Sequence, residues 1–470
     1  MKRRDFFRNG AALTATTALF NPFDAWAGDS SEQIIEKLGK KAKNIIFLVS
    51  DGMSSGTLNM AHLLLQRQYG KSSRWLELYQ SQKAKRSLMD TASASSLVTD
   101  SAAGGSAWGG GVRVPNGAIN VGVQGELYQP ILQKMKAVGK AVGCVTTVPI
   151  THATPASFCV NSKSRNGQAE IAEMYLPLRF DVMMGGGLEY FSGNLRKDKK
   201  DLLAAFEQAG YQVLQHRNQM LEANASKPIL GVFHEAGLPY SLDRMQEKNL
   251  QEQVPTLAEM TQKAIDLMKG NPKGFVMQVE GGKVDWAAHA NDPAALLYDQ
   301  IAFDEALGVA LDFAEKDKNT LVIVTTDHGN ANPGLFYGKE ADKNFDKIQK
   351  FRYSNDWVLQ SIKKDMRPEQ VVELIEFAQG IVFKKEEAEA LLTYYRDFKE
   401  EGTYNSYKLP FRKMAELQTQ YTSISWAGID HSADFVELTA FGPGAEALKP
   451  FVKNYELHNF MLQTAGLKVK

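Results

Sequence analysis

The run Asn44-Ile45-Ile46-Phe47-Leu48-Val49-Ser50-Asp51-Gly52-Met53 decides the fold. Its apolar residues are continuous rather than alternating and are bounded by Lys43 and Gly52, the pattern of a strand covered on both faces of a parallel sheet. Asp51 follows the last apolar residue. It therefore falls at the carboxyl end of the strand, where open α/β sheets place their sites. A carboxylate there also serves as a helix cap, so Asp51 alone assigns no function.

The pattern recurs along the chain. Residues 141–147 form an apolar run leading to His152-Ala153-Thr154-Pro155, residues 274–279 lead to Glu280-Gly281-Gly282, and residues 320–326 lead to Asp327-His328-Gly329. A further run, 180–184, precedes three glycines and ends without a metal-ligating residue. Helix-compatible stretches such as 126–138 and 255–268 lie between. Strands alternating with helices predict an α/β fold: a mostly parallel central sheet with helices on both faces. From 334 to about 428 the alternation stops. Amphipathic helices are expected from Arg367 and over 384–399, so this region reads as a helical insertion beside the sheet. The core resumes at Ile429-Asp430-His431 and a strand over 435–441.

The 470 residues are 44% hydrophobic and 23% charged, with a formal net charge of zero. That supplies a large globular core and no basic footprint for nucleic acid. The first residues stand apart. Arg3-Arg4-Asp5-Phe6-Phe7, a mildly apolar stretch over 10–20 and Ala25-Trp26-Ala27 come in the order of a twin-arginine export signal with a small-x-small cleavage site. Its apolar part is too short for a stable membrane span. Residues 1–27 are thus expected to be a signal peptide and 28–470 the mature domain, in a periplasmic or secreted protein. The two cysteines, Cys144 and Cys159, rule out a disulfide framework and leave open whether they bridge.

The chemistry gathers at strand ends. In Asp285-Trp286-Ala287-Ala288-His289 the i, i+4 spacing sets carboxylate and imidazole on one helical face, able to grip one cation. Asp327-His328 sits at the mouth of a buried strand, and mixed oxygen and nitrogen donors suit zinc. Asp51, Glu280 and the Thr154 hydroxyl make an all-oxygen set suited to magnesium. In Leu97-Val98-Thr99-Asp100-Ser101-Ala102-Ala103-Gly104, Ser101 lies where an irregular segment becomes helix-compatible, at an end that favours negative charge. Its own bland role is that of helix N-cap. As a nucleophile it needs a base or a metal, because a free hydroxyl is weak.

These segments, in order and spacing, resemble the alkaline phosphatase family from about residue 43 to 445, apart from the 334–428 region. The resemblance implies that Asp285, His289 and His431 hold a first zinc. Asp51, Asp327 and His328 would hold a second, and Asp51, Thr154 and Glu280 a magnesium. It implies Ser101 as nucleophile, Arg165 as the clamp on the phosphate oxygens, Asp100 as its orienting partner, and a homodimer. Hydrolysis of small phosphate monoesters through a phosphoseryl intermediate at two zinc ions and one magnesium is the expected activity. Two positions depart from the commonest enterobacterial pattern. His152 stands where an Asp is found and Trp286 where a Lys is found, both as neighbours of the metal site. The pair resembles a marine bacterial branch and implies weaker magnesium affinity at the third site. Diesterases and sulfatases of the same superfamily share the strand-end ligands; a phosphate-binding protein without turnover is the rival outside enzymes.

Overall fold

The computed structural model describes residues 41–396, 398 and 408–469. The signal-peptide reading of 1–27 lies outside them. Fourteen strands are formed among the described residues: β1 (Asn44–Val49), β2 (Lys85–Met89), β3 (Ala141–Pro149), β4 (Val182–Gly186), β5 (Gln212–Leu214), β6 (Ile229–Val232), β7 (Phe275–Glu280), β8 (Thr320–Thr325), β9 (Gly329–Asn330), β10 (Pro333–Leu335), β11 (Ile424–Trp426), β12 (His431–Ser432), β13 (Val436–Phe441) and β14 (Phe451–Val452).

Ten of them form one sheet in the order β14-β2-β13-β8-β1-β7-β3-β4-β6-β5. β1 is central and pairs in parallel with β7 (Ile45↔Val276) and β8 (Ile45↔Leu321). Every residue of β1 is buried, as its unbroken apolar run requires. β13 runs antiparallel to both β8 and β2, so the parallel sheet has one reversed strand toward its edge.

The pleat sends alternate β1 residues to opposite faces. Ile45, Phe47 and Val49 pack with Trp108, Ile131, Phe158 and Met461. Ile46 and Leu48 face the other way, with Phe303, Ala306, Leu307 and Ala310 of the long helix Pro293–Asp317. Each face is thereby closed by helices and no edge of β1 meets water.

Between β10 and β11 the described residues form the helices Ala341–Asp346, Asn355–Ser361, Pro368–Gln379, Lys385–Leu392 and Phe411–Thr422, joined by loops and turns. Their apolar faces pack as a third cluster on Met60, Leu64, Leu297 and Ile301 of the core helices. Inside it three buried amides close on one another: Gln418 Nε2 donates to Asn355 Oδ1 and to Gln379 Oε1, each at 2.8 Å. The Asn355 N–H donates to Asp292 Oδ2 at 2.5 Å, and Asp292 also caps the 293–317 helix. The β10–β11 pairing draws the two ends of this region together.

Several boundaries differ from the sequence reading. The helix expected over 126–138 is Ile131–Ala137, because Pro130 takes the N-cap and Val121 bridges Leu127 before it. The helix expected over 384–399 spans Lys385–Leu392 and gives way to a turn. The run at 180–184 enters the sheet as β4, shifted toward its glycines. β2, β5, β6 and β14 carry no clear signal in the sequence: β2, β5 and β14 are partly exposed or at the sheet edge, and β6, though buried, is only four residues long and interrupted by Gly231.

Candidate active site and metal centre

The carboxyl ends of β1, β3, β7 and β8 open onto one place. Asp51 follows β1, Glu280 ends β7, and Asp327 and His328 follow β8, all of them 0–1% exposed. The turn after β1 depends on Gly52, at φ +67; a Cβ there would lie 2.5 Å from Asp285 Oδ1. Its N–H donates to Asp327 Oδ1 at 3.1 Å. A bulkier residue would push this backbone out of the site.

Three groups of candidate ligands converge. Asp285, His289 and His431 bring one donor atom each to within 4.8 Å of one another; so do Asp51, Asp327 and His328, and so do Asp51, His152 and Glu280. Asp285 and His289 share the face of the helix Lys283–His289, with Nε2 to Oδ2 at 3.5 Å. His431 arrives from far along the chain because β12 pairs antiparallel with β9, His431↔Asn330. His289 Nδ1 lies 2.6 Å from the Ile429 carbonyl and His431 Nδ1 2.9 Å from that of Thr99. With Nδ1–H donating to those carbonyls, both rings present a bare Nε2 to the centre, the arrangement found behind metal-binding histidines. The two Nε2 atoms are 3.1 Å apart.

In the third group His152 brings a donor atom to Asp51 and Glu280, and the Thr154 hydroxyl reaches the same place, donating to Asp51 Oδ2 at 3.3 Å. Trp286 stands beside it, its ring 6.2 Å from that of His152 and edge-on.

Ser101 is the first residue of the helix Ser101–Gly109, and the N-cap is Asp100, whose carboxylate accepts the Ala103 N–H at 3.0 Å. Ser101 is therefore not the cap; its hydroxyl is free to face the site, with Oγ 3.3 Å from His328 Nε2. The other Asp100 oxygen accepts Arg165 Nη1 at 3.0 Å, and Arg165 Nη2 lies 3.1 Å from His152 Nε2. The guanidinium is thus held on both edges.

Electrostatics set what the site can hold. Burial, reinforced by Asp327, Asp285 and Glu280, pushes the Asp51 carboxyl well above the ordinary range. Burial likewise raises Glu280 to about 8, against the hydrogen bond from Thr146. For Asp327 burial acts the same way, but adjacent His328 and the Gly52 N–H outweigh it and hold it low. His152 is pushed down to about 3 by burial and then by Arg165, so it is neutral. Asp51 Oδ1, Glu280 Oε1, Asp327 Oδ2 and His152 Nδ1 are buried with no hydrogen-bond partner among the described residues. Packed carboxylates with orphaned oxygens are untenable without compensating cations, so the donor set fits divalent metal ions.

Outside the centre, Cys144 and Cys159 are buried free thiols with Sγ atoms 3.7 Å apart. No described helix is long and apolar enough to cross a membrane.

The comparisons agree with this geometry. A family model described as alkaline phosphatase matches residues 42–467. Alkaline phosphatase 4 of Bacillus subtilis is 29% identical, the match covering 98% of this chain and 99% of that protein. Alkaline phosphatase 3 of the same organism is 30% identical over 79% of this chain and 78% of its own. The crystal structure of Thermus thermophilus alkaline phosphatase superposes with a TM-score of 0.85 at 31% identity, covering 98% of this chain and 97% of the other. A mostly parallel sheet whose strand ends gather carboxylates and histidines beside a serine and an arginine, matched over most of its length by these enzymes, identifies the chain as a phosphomonoesterase belonging to the alkaline phosphatase family.

Proposed function

We propose that the protein hydrolyses phosphate monoesters through a phosphoseryl intermediate on Ser101, at a centre of two zinc ions and one magnesium. Asp285, His289 and His431 would hold one zinc; Asp51, Asp327 and His328 the other; Asp51, Glu280 and Thr154, with His152 alongside, the third ion. Bound there, these ions supply Lewis-acid charge for the attacking and leaving oxygens of an in-line displacement and activate water for the second step.

The chain's own groups do the rest. Arg165, steadied by Asp100, donates a planar fork of N–H groups to two phosphoryl oxygens, a match a lysine does not make. Ser101 Oγ attacks phosphorus from the helix N-terminus, where backbone N–H groups favour the gathering negative charge. The ester oxygen leaves, and water then displaces the serine from phosphorus, returning inorganic phosphate and the free hydroxyl. The observation that carries this reading is the Ser101 hydroxyl 3.3 Å from His328, with the Asp100–Arg165 pair beside it.

We further propose export by the twin-arginine signal over 1–27, a periplasmic or secreted location, a homodimeric assembly, and residues 334–428 as an insertion in the catalytic domain. The basis is the N-terminal sequence, the family and the helical content between β10 and β11.

Acid quenching during turnover of a phosphorus-labelled nitrophenyl monoester tests the mechanism. Label should map to Ser101 and vanish in Ser101→Ala. Label on another residue, or faster hydrolysis of the bis-nitrophenyl diester, would refute it.

A further inference from the structure

Lys283 lies on the same helix as Asp285 and is 7% exposed. Its ammonium sits 3.7 Å from the Tyr240 ring centroid and 4.6 Å from that of Trp286. Burial disfavours the charge of this ammonium, and Asp299, Asp356, Asp243 and Asp292 act against that cost by attracting it. Asp299, Asp243 and Asp292 are themselves held by backbone N–H groups of Ser241, Ser354 and Asn355. The Lys283 N–H is fixed in turn, donating to Thr147 Oγ1 at 3.0 Å.

The indole of Trp286 is also confined by Gly237, where a Cβ would lie 2.8 Å from Cζ3. It meets His152 edge-on at 6.2 Å, and His152 Nε2 lies 3.1 Å from Arg165 Nη2. Contacts therefore run without a break from Lys283 through Trp286 and His152 to the guanidinium.

We infer that Lys283 is a positioning residue: its cation–π contact fixes Trp286, which holds His152 and through it the Arg165 fork that grips the substrate phosphoryl group. This rests on Arg165 being the phosphate clamp, as proposed above. The role belongs to ground-state and transition-state phosphate binding alike, because the fork engages both. Removing the cation should therefore weaken binding more than it slows turnover.

The test uses the metal-loaded full chain, nitrophenyl phosphate as substrate and inorganic phosphate as competitive inhibitor, with Lys283→Met, Lys283→Arg, Gly237→Ala, Trp286→Ala and the double variant of Lys283→Met with Trp286→Ala. Lys283→Met should raise KM and the phosphate inhibition constant about three- to thirty-fold, the span from a partly exposed to a desolvated cation–π contact, with kcat changed less than about two-fold. Lys283→Arg should return both to within about two-fold, since a guanidinium also stacks on aromatic faces. Gly237→Ala crowds the same indole at Cζ3 and should shift the constants in the same direction without removing the cation; it carries the test if Lys283→Met does not fold. Adding Lys283→Met to Trp286→Ala should change nothing more. Unchanged phosphate inhibition in both Lys283→Met and Gly237→Ala, or effects of Lys283→Met and Trp286→Ala that multiply, would overturn the inference alone. A wild type that hydrolyses no monoester would overturn it together with the phosphatase reading.

Discussion

Arg165 shows how a single side chain takes its meaning from its neighbours. In sequence it is a loop cation among serines and Lys163; in the fold Asp100 and His152 hold opposite edges of its guanidinium. Arg165→Lys keeps the charge and loses the fork. Its phosphate inhibition constant should rise about ten-fold or more while kcat falls less, measured by competition with nitrophenyl phosphate. Asp100 acts twice, as N-cap and as partner of Arg165, so Asp100→Ala should cost about 1 kcal/mol of stability as well as phosphate affinity, read by urea unfolding and inhibition together. The paired change His152→Asp with Trp286→Lys places a carboxylate beside the third ion and a cation near the phosphate. Magnesium retention should strengthen in metal titration, whereas phosphate affinity gains the new cation and loses the ring contacts behind Arg165; unchanged magnesium retention would refute the charge argument.

At the scale of elements, the C-terminal helix Glu456–Thr464 is pinned to the 101–109 helix by His458, whose Nδ1 lies 2.7 Å from the Trp108 carbonyl and whose Nε2 accepts Lys134 Nζ at 2.8 Å. Burial, then Lys134, lowers this histidine to about 4. Unfolded, it titrates near 6.5. The unfolded chain thus binds more protons between those values, and the contribution present above about pH 6.5 is lost as pH falls toward 4. His458→Gln should flatten the decline in melting temperature between pH 6.5 and 4.5; an equally steep decline would show that other groups govern it. In the helical region, Gln418→Leu leaves the Asn355 and Gln379 amides short of partners and should cost about 2 kcal/mol in denaturant unfolding.

How much of this was legible in sequence follows from range. Buried parallel strands announce themselves locally, so β1, β3, β7 and β8 and the residues at their ends were readable from apolar runs alone. Asp285 with His289 needed only helical spacing. His431 was different: its approach depends on a two-residue pairing of β12 with β9 across the whole helical region, which no local pattern encodes. The same holds for the clamp on Arg165, and for Lys283, whose aromatic contacts arise only when Tyr240 and Trp286 pack against it. Ser101 could be singled out but not given its cap relationship, since Asp100 and Ser101 are both good cap residues and only the backbone decides between them.

At the scale of the whole molecule, the sheet places several mutually repelling carboxylates at one end of its central strands, and that arrangement asks for cations. Chelation should abolish hydrolysis and lower the melting temperature, and zinc with magnesium should restore both, since ligands of the folded state stabilise it by mass action. Because both attacking species would be deprotonated oxygens, monoester hydrolysis should rise through neutrality to an alkaline optimum; a profile peaking below pH 7 would contradict this. The most direct measurement of the central claim is anomalous diffraction at the zinc edge from crystals of the active protein. Two peaks about 4 Å apart are expected, one among Asp285, His289 and His431 and one among Asp51, Asp327 and His328 beside Ser101. Crystals that retain monoester hydrolysis with no anomalous peak among those side chains would contradict it.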